Sequence, residues 1–196
     1  MTSPKSAPPT SKLGSICVYC GASNTVNEKY IKLAEALGRT LARRDIRLVY
    51  GGGGVGLMGA CARAAHEAAG EVLGIMPKFL LQKERIYTEV EHRIVDDMHT
   101  RKMMMFDEAD AFIVLPGGIG TLEEAVEILS WARLGLHAKP MAFLDEDGFW
   151  SPFFELMDHI IGGGFIPAEF RGSLVHCKTP AEAISELEDR RVVIDP

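Results

Sequence analysis

From residue 15 onward, short apolar runs alternate with longer stretches whose apolar positions recur every three or four residues. "SICVYC" (15–20) predicts a buried strand. "NEKYIKLAEALGRTLARR" (27–44) sets Ile31, Ala34, Leu37 and Leu41 on one stripe and predicts an amphipathic helix. "IRLVY" (46–50) predicts the next strand, followed by a glycine run and the alanine-rich helix "LMGACARAAHEAA" (57–69). "EVLGIM" (71–76) predicts a third strand, stopped by Pro77. After an irregular stretch, "EHRIV" (91–95) predicts a fourth strand, and "HTRKMMMFDEA" (99–109) a helix entered through Asp96 and Asp97. "AFIVL" (111–115) is a strand, "TLEEAVEILSWARLG" (121–135) a helix and "PMAFL" (140–144) a strand. "WSPFFELMDHII" and "PAEAISELEDR" add two helices, with "SLVHC" between them as a final strand.

Short apolar strands alternating with helices imply βαβ units and a parallel sheet covered on both faces. The expected fold is α/β, a doubly wound parallel sheet in a Rossmann-like three-layer sandwich. No repeat or linker divides it, so residues 14–196 are expected to form one domain. The polar, proline-rich opening, residues 1–13, reads as a disordered tail with no apolar segment of a signal peptide.

Composition narrows the function. A hydrophobic content of 47% with 24% charged residues is that of a globular protein, and no apolar run approaches the roughly 20 residues of a membrane span. The cytoplasm is the expected location. A net charge of −6 argues against nucleic-acid and membrane partners, which favour basic faces, but leaves room for a small phosphorylated ligand. Four scattered cysteines make no disulfide scaffold. Cys17 and Cys20 form a CxxC, but within a strand they point to opposite faces, so they read as core. The six histidines show no metal-binding spacing, and no metal site is expected.

Open sheets of this kind bind ligands beyond the carboxyl ends of their strands, and two glycine loops fall there. "YGGGGVGLMG" (50–59), with Gly52, Gly53, Gly54 and Gly56 as a possible second glycine loop, contains GxGxxG twice. It lacks the lysine of a P-loop. The next strand ends in Met76-Pro77 rather than the acidic residue a nicotinamide enzyme needs. "LPGGIGTLEE" (115–124) is the stronger candidate. Gly117 and Gly118 let a ligand approach the backbone, Thr121 begins the helix, and unpaired amides at its start suit a phosphate. A tight turn also explains one or two glycines, and the first-turn dipole also favours Glu123 and Glu124. "MHTRK" (98–102) places Arg101 and Lys102 at a helix start, where cations are disfavoured, which suggests an anionic partner.

With "GGGGVGLMG", "MHTRK" and "PGGIGTLEE" in this order, and "VYCGAS", "WARLGLHAKP" and "DGFW" around them, the chain resembles the Lonely Guy family of cytokinin riboside 5′-monophosphate phosphoribohydrolases from about Ser15 to Phe165. Family members were often labelled lysine decarboxylases. The resemblance implies hydrolysis of the N-glycosidic bond of an adenine-type nucleoside monophosphate, giving free base and ribose 5-phosphate, with no cofactor and as a homodimer. It carries the catalytic roles onto Arg101 and Glu124. Substrate-binding roles fall on Glu84, Lys102, Gly117, Gly118, Ile119, Gly120, Thr121, Leu122, Glu123 and Ser130. Position 119, often aromatic in the family, is isoleucine here.

The chemistry fits independently, since a carboxylate stabilises the positive charge that develops at the anomeric carbon or activates water. "MMMF" (103–106) and Trp131 read as packing. Two rivals remain: a non-enzymatic nucleotide or molybdenum-cofactor carrier of related fold, and a pyridoxal-phosphate decarboxylase, which would need a Schiff-base lysine.

Overall fold

A computed structural model describes residues 12–81 and 85–194. The expected tail over 1–13 falls mostly outside that range, as does Glu84. Seven strands form one sheet: β1 (Ser15–Tyr19), β2 (Arg47–Tyr50), β3 (Val72–Pro77), β4 (Glu91–Val95), β5 (Ala111–Val114), β6 (Met141–Leu144) and β7 (Val175–Cys177). Every pairing is parallel, in the order β4-β3-β2-β1-β5-β6-β7. Among the described residues, five helices connect strands, α1 (Glu28–Arg43), α2 (Gly56–Glu67), α3 (Met98–Asp107), α4 (Ile119–Arg133) and α5 (Ser151–Gly162), and α6 (Pro180–Ile194) follows β7; β3 passes to β4 without an α-helix.

The alternation of side chains along the strands divides the core in two. Ile16, Val18 and Cys20 face α1, α2 and α6, while Cys17 and Tyr19 face α3, α4 and α5. Buried on both faces, β5 and β6 are apolar throughout and β1 is so after Ser15, as suits strands of a covered parallel sheet. The edge strand β4 carries Glu91, His92 and Arg93 and is only partly buried, a composition that discourages pairing with another chain. Cys17 and Cys20 lie on opposite faces, both buried and unpaired, and burial pushes their thiols up. A low-pKa redox pair is the reverse of this.

Strand order reverses between β1 and β5. The loops leaving those two strands therefore part in opposite directions and open a crevice at the carboxyl end of the sheet. Among the described residues, no helix is long and apolar enough to cross a membrane.

Candidate active site

A cleft of about 570 Å³ occupies that crevice. Its walls come from the loop after β1 (Cys20 to Ser23), the loop after β5 (Pro116 to Gly118), the start of α2 (Leu57, Met58) and Arg101 and Glu124 at its floor. Tyr30 and Phe149 stand at the rim, in edge-to-face contact at 5.6 Å.

Arg101 and Glu124 are 5% and 6% exposed, and Arg101 Nη1 donates to Glu124 Oε1 at 2.8 Å. The rest of the guanidinium is used on backbone: Nε donates to Ile75 O at 3.1 Å and Nη2 to Gly51 O at 3.4 Å. A side chain on Gly51 would collide with the guanidinium, so this glycine of the first loop is required by close approach. Burial raises the Glu124 carboxyl above the ordinary glutamate range, and Arg101 opposes that rise without cancelling it. The result is a partly desolvated carboxylate at the floor of a cleft, more basic than a surface glutamate and fixed in direction by a planar donor.

Helix α4 begins at Ile119, two residues before the expected Thr121, with Gly118 as its N-cap. Glu123 and Glu124 therefore lie in the second turn, and no acidic residue occupies the first. The dipole explanation for the glutamates loses its basis. The cations of "MHTRK" also find anions, but internal ones. Asp97 caps α3 by accepting the Thr100 amide at 2.8 Å, Arg101 pairs with Glu124, and Lys102 Nζ donates to Glu123 at 2.6 Å and Glu127 at 2.9 Å. Lys102 and Glu123 thus meet each other beside the cleft rather than line it.

The two glycine loops differ in what occupies their helix starts. At α2 the first three amides are consumed internally: Gly56 donates to Asn24 Oδ1 at 2.9 Å, and Leu57 and Met58 to Gly21 O at 3.0 and 3.4 Å. Gly54 is tied to Arg85 O at 2.6 Å, and Gly53 bridges Ile86. Gly52, Gly53, Gly54 and Gly56 stand outside the cleft lining. At α4 no side chain among the described residues caps the first turn, and the amides of Ile119, Gly120 and Thr121 have no intrahelical acceptor. A Cβ on Gly117 would strike the Thr121 side chain, whereas Cβ atoms on Gly118 and Gly120 would meet nothing within 4 Å.

The remaining candidate residues are scattered. Ile119 is 83% exposed and Leu122 half-buried, and neither lines the cleft. Ser130 is exposed near the far end of α4, about 16 Å along the axis from Ile119 at 1.5 Å per residue. Met105 is buried core and Trp131 packs edge-on against Phe106, as packing residues. Sequence reasoning assigned no role to the rim residues Tyr30 and Phe149 or to the loop after β1. The signal for that loop was present, because a strand beside the switch point always contributes its following loop.

Comparison with known proteins bears on the family and the fold. The family model described as "Possible lysine decarboxylase" matches residues 58–187. The cytokinin riboside 5′-monophosphate phosphoribohydrolase LOG4 of Arabidopsis thaliana is 43% identical over 91% of this chain and 84% of its own length. The enzyme LOG of Oryza sativa subsp. japonica is 43% identical over 91% of this chain and 74% of its own. Among solved structures, the molybdenum cofactor carrier protein of Chlamydomonas reinhardtii superposes with a TM-score of 0.68 at 19% identity, covering 92% of this chain and 98% of that one, a likeness of fold. On the strength of the family model and the plant relatives, the chain belongs to the Lonely Guy family.

Proposed function

We propose that this protein hydrolyses the N-glycosidic bond of adenine-type nucleoside 5′-monophosphates, cytokinin riboside monophosphates and AMP among them. The observation that carries the reading is the buried Arg101–Glu124 pair at the floor of the switch-point cleft, one helical turn from the open amides of α4. The phosphate sits on the amides of Gly118 to Thr121, where the positive end of the helix faces it. From Ile119 to Glu124 the helix rises about 7.5 Å. That span is comparable with the reach from a 5′-phosphate to the anomeric carbon.

The roles follow from that placement. Glu124 faces the anomeric carbon. As the bond from C1′ to the base nitrogen breaks, its electron pair leaves with the base, which takes a proton from solvent; Glu124 later returns to solvent the proton it gains from the attacking water, so none is consumed overall. The carboxylate stabilises the cationic sugar and accepts a proton from the attacking water, whose oxygen bonds to C1′. Arg101 keeps the carboxylate aimed and ionised. The base lies toward Leu57, Met58, Tyr30 and Phe149, an apolar and aromatic wall. No cofactor enters this scheme, and the cytoplasm, where nucleotides are held, is the proposed location.

Assembly as a homodimer is part of the reading. Ile119, Val126 and Ser130 share one exposed face of α4, and Leu134 and Leu136 continue it as exposed apolar surface. Ser130 is too far along α4 to touch a ligand in its own cleft. With this face at the interface, it is carried toward the partner's. The carrier reading is disfavoured because a carrier has no use for a basic buried carboxylate aimed into its ligand site.

Incubation with AMP and with isopentenyladenosine monophosphate, followed by chromatography, should yield free base and ribose 5-phosphate. Recovery of both nucleotides unchanged overturns the proposal.

A further inference from the structure

The segment between α4 and β6, residues 134–140, makes contacts that a simple turn does not need. His137 Nδ1 accepts the Lys139 amide at 3.1 Å, which leaves the proton on Nε2, and Nε2 donates to Ile128 O at 3.0 Å. Lys139 Nζ donates to Phe106 O at 2.6 Å and lies 4.0 Å from the centroid of the Phe106 ring. Ile128 is one turn beyond Glu124 on α4. Phe106 is five residues beyond Arg101 on α3, about 7.5 Å along the axis. The Phe106 ring meets His137 at 5.1 Å and Trp131 at 5.5 Å, both edge-on, and stacks at 6.0 Å on Phe112.

Packing alone does not call for a histidine and a lysine here. Burial depresses both groups below their ordinary values, so each is held against an electrostatic cost. Their outer side borders a second cavity of about 490 Å³, shared with Ala132, Pro140, Met141 and Arg190. Apolar residues would fill that position more cheaply. What the polar atoms add is direction: one hydrogen bond to each of the two helices that carry the reacting pair.

We propose that His137 and Lys139 are positioning residues, a strap that fixes the axial register of α3 against α4 and so holds Arg101 on Glu124. This rests on the reading of Arg101 and Glu124 as the reacting pair. A second lace, Lys102 to Glu123 and Glu127, lies on the exposed side of the same two helices. With the strap loosened, α3 is free to slide by a fraction of an ångström, and the 2.8 Å bond lengthens.

The Glu124 carboxyl reports that movement. It is faced by Arg101 and Lys102 from α3, by Glu123 from its own helix, and by Cys17, Tyr19 and Cys20 on and just after β1. Arg101 is the chief group holding it down against burial. A weaker Arg101 contact therefore raises the pH at which Glu124 protonates.

The test titrates ¹³C-glutamate-labelled, substrate-free protein by NMR, with Glu124 assigned from its loss in Glu124→Gln, and measures kcat and KM on AMP alongside. Lys139→Met removes the cation. His137→Phe keeps the ring and removes its hydrogen bonds to Ile128 O and the Lys139 amide. Both should raise the Glu124 midpoint and lower kcat by about tenfold, with KM changed less than about twofold because the phosphate loop is untouched. Lys139→Arg should restore both.

A midpoint unmoved in both variants overturns the strap. So does a shift in Lys139→Met alone, which is a direct charge effect. Because the titration needs no substrate, shifted midpoints in a protein inactive on every nucleotide would keep the strap and remove the proposed reaction.

Discussion

Glu124 and Arg101 are each other's condition for being buried. An isolated ionised carboxylate at that depth would be neutralised, and an isolated guanidinium would leave its donors short of an acceptor. This makes the two substitutions unequal as probes. Arg101→Ala strips the donor from Glu124, Ile75 O and Gly51 O together and should destabilise the fold by about 3–5 kcal/mol, so lost activity there is ambiguous. Glu124→Gln keeps the shape and one acceptor for Arg101. Turnover on AMP should fall at least about 100-fold, the scale of a lost electrostatic or acid–base contribution. The pH profile sharpens this. Burial raises the Glu124 carboxyl, so protonation begins at a higher pH than for a surface glutamate. A reaction that needs the carboxylate loses rate as pH falls through that raised value, and the limb should vanish in Glu124→Gln. An acid limb that persists in the variant would assign it to another group.

At the scale of the element, the loop from β5 into α4 separates two uses of glycine. Gly117 is confined by Thr121, while nothing inside the protein restricts a side chain on Gly118. Gly117→Ala should therefore cost stability, and Gly118→Ala should leave the melting temperature unchanged while eroding the preference for AMP over adenosine. Several charge-assisted amide bonds at about 1.5–3 kcal/mol each make a wild-type preference of at least about 100-fold in kcat/KM, roughly 2.7 kcal/mol, a modest expectation. Equal rates on both substrates would reduce the loop to a turn. Most of the elements were legible in the sequence because buried parallel strands are apolar throughout and helices show their stripe. The start of α4 was misplaced by two residues because Gly118 caps it through backbone shape alone, without the serine, threonine or aspartate that usually marks a helix start. The internal closing of α2 was illegible for a different reason. Its partners, Gly21 O and Asn24, arrive from another βα unit, and no local pattern announces such a contact.

For the whole molecule, the switch point between β1 and β5 explains why chemistry from distant stretches meets. Arg101, Glu124 and the α4 loop, all carried by motifs in the sequence, line the crevice. Sequence reasoning missed Tyr30 and Phe149, which become neighbours only once α1 and the loop after β6 are folded over the crevice. The exposed face of α4 extends the same logic to a second copy. Light scattering on dilute protein should give twice the chain mass of 21.5 kDa, and a fully active monomer would place Ser130 outside the chemistry. The closed start of α2 also decides valency. Two glycine loops at two strand ends would ordinarily describe a receptor for a pyrophosphate-bridged ligand, one phosphate to each helix. Here Gly21 O and Asn24 Oδ1 already accept the α2 amides on which one of those phosphates would rest, so on the proposed reading each chain takes one phosphate at this crevice. A ligand longer than a mononucleotide would bring a second anionic group for which, among the described residues, this crevice offers no second open helix start, and that exclusion would be achieved by a carbonyl and an amide rather than by a repelling charge.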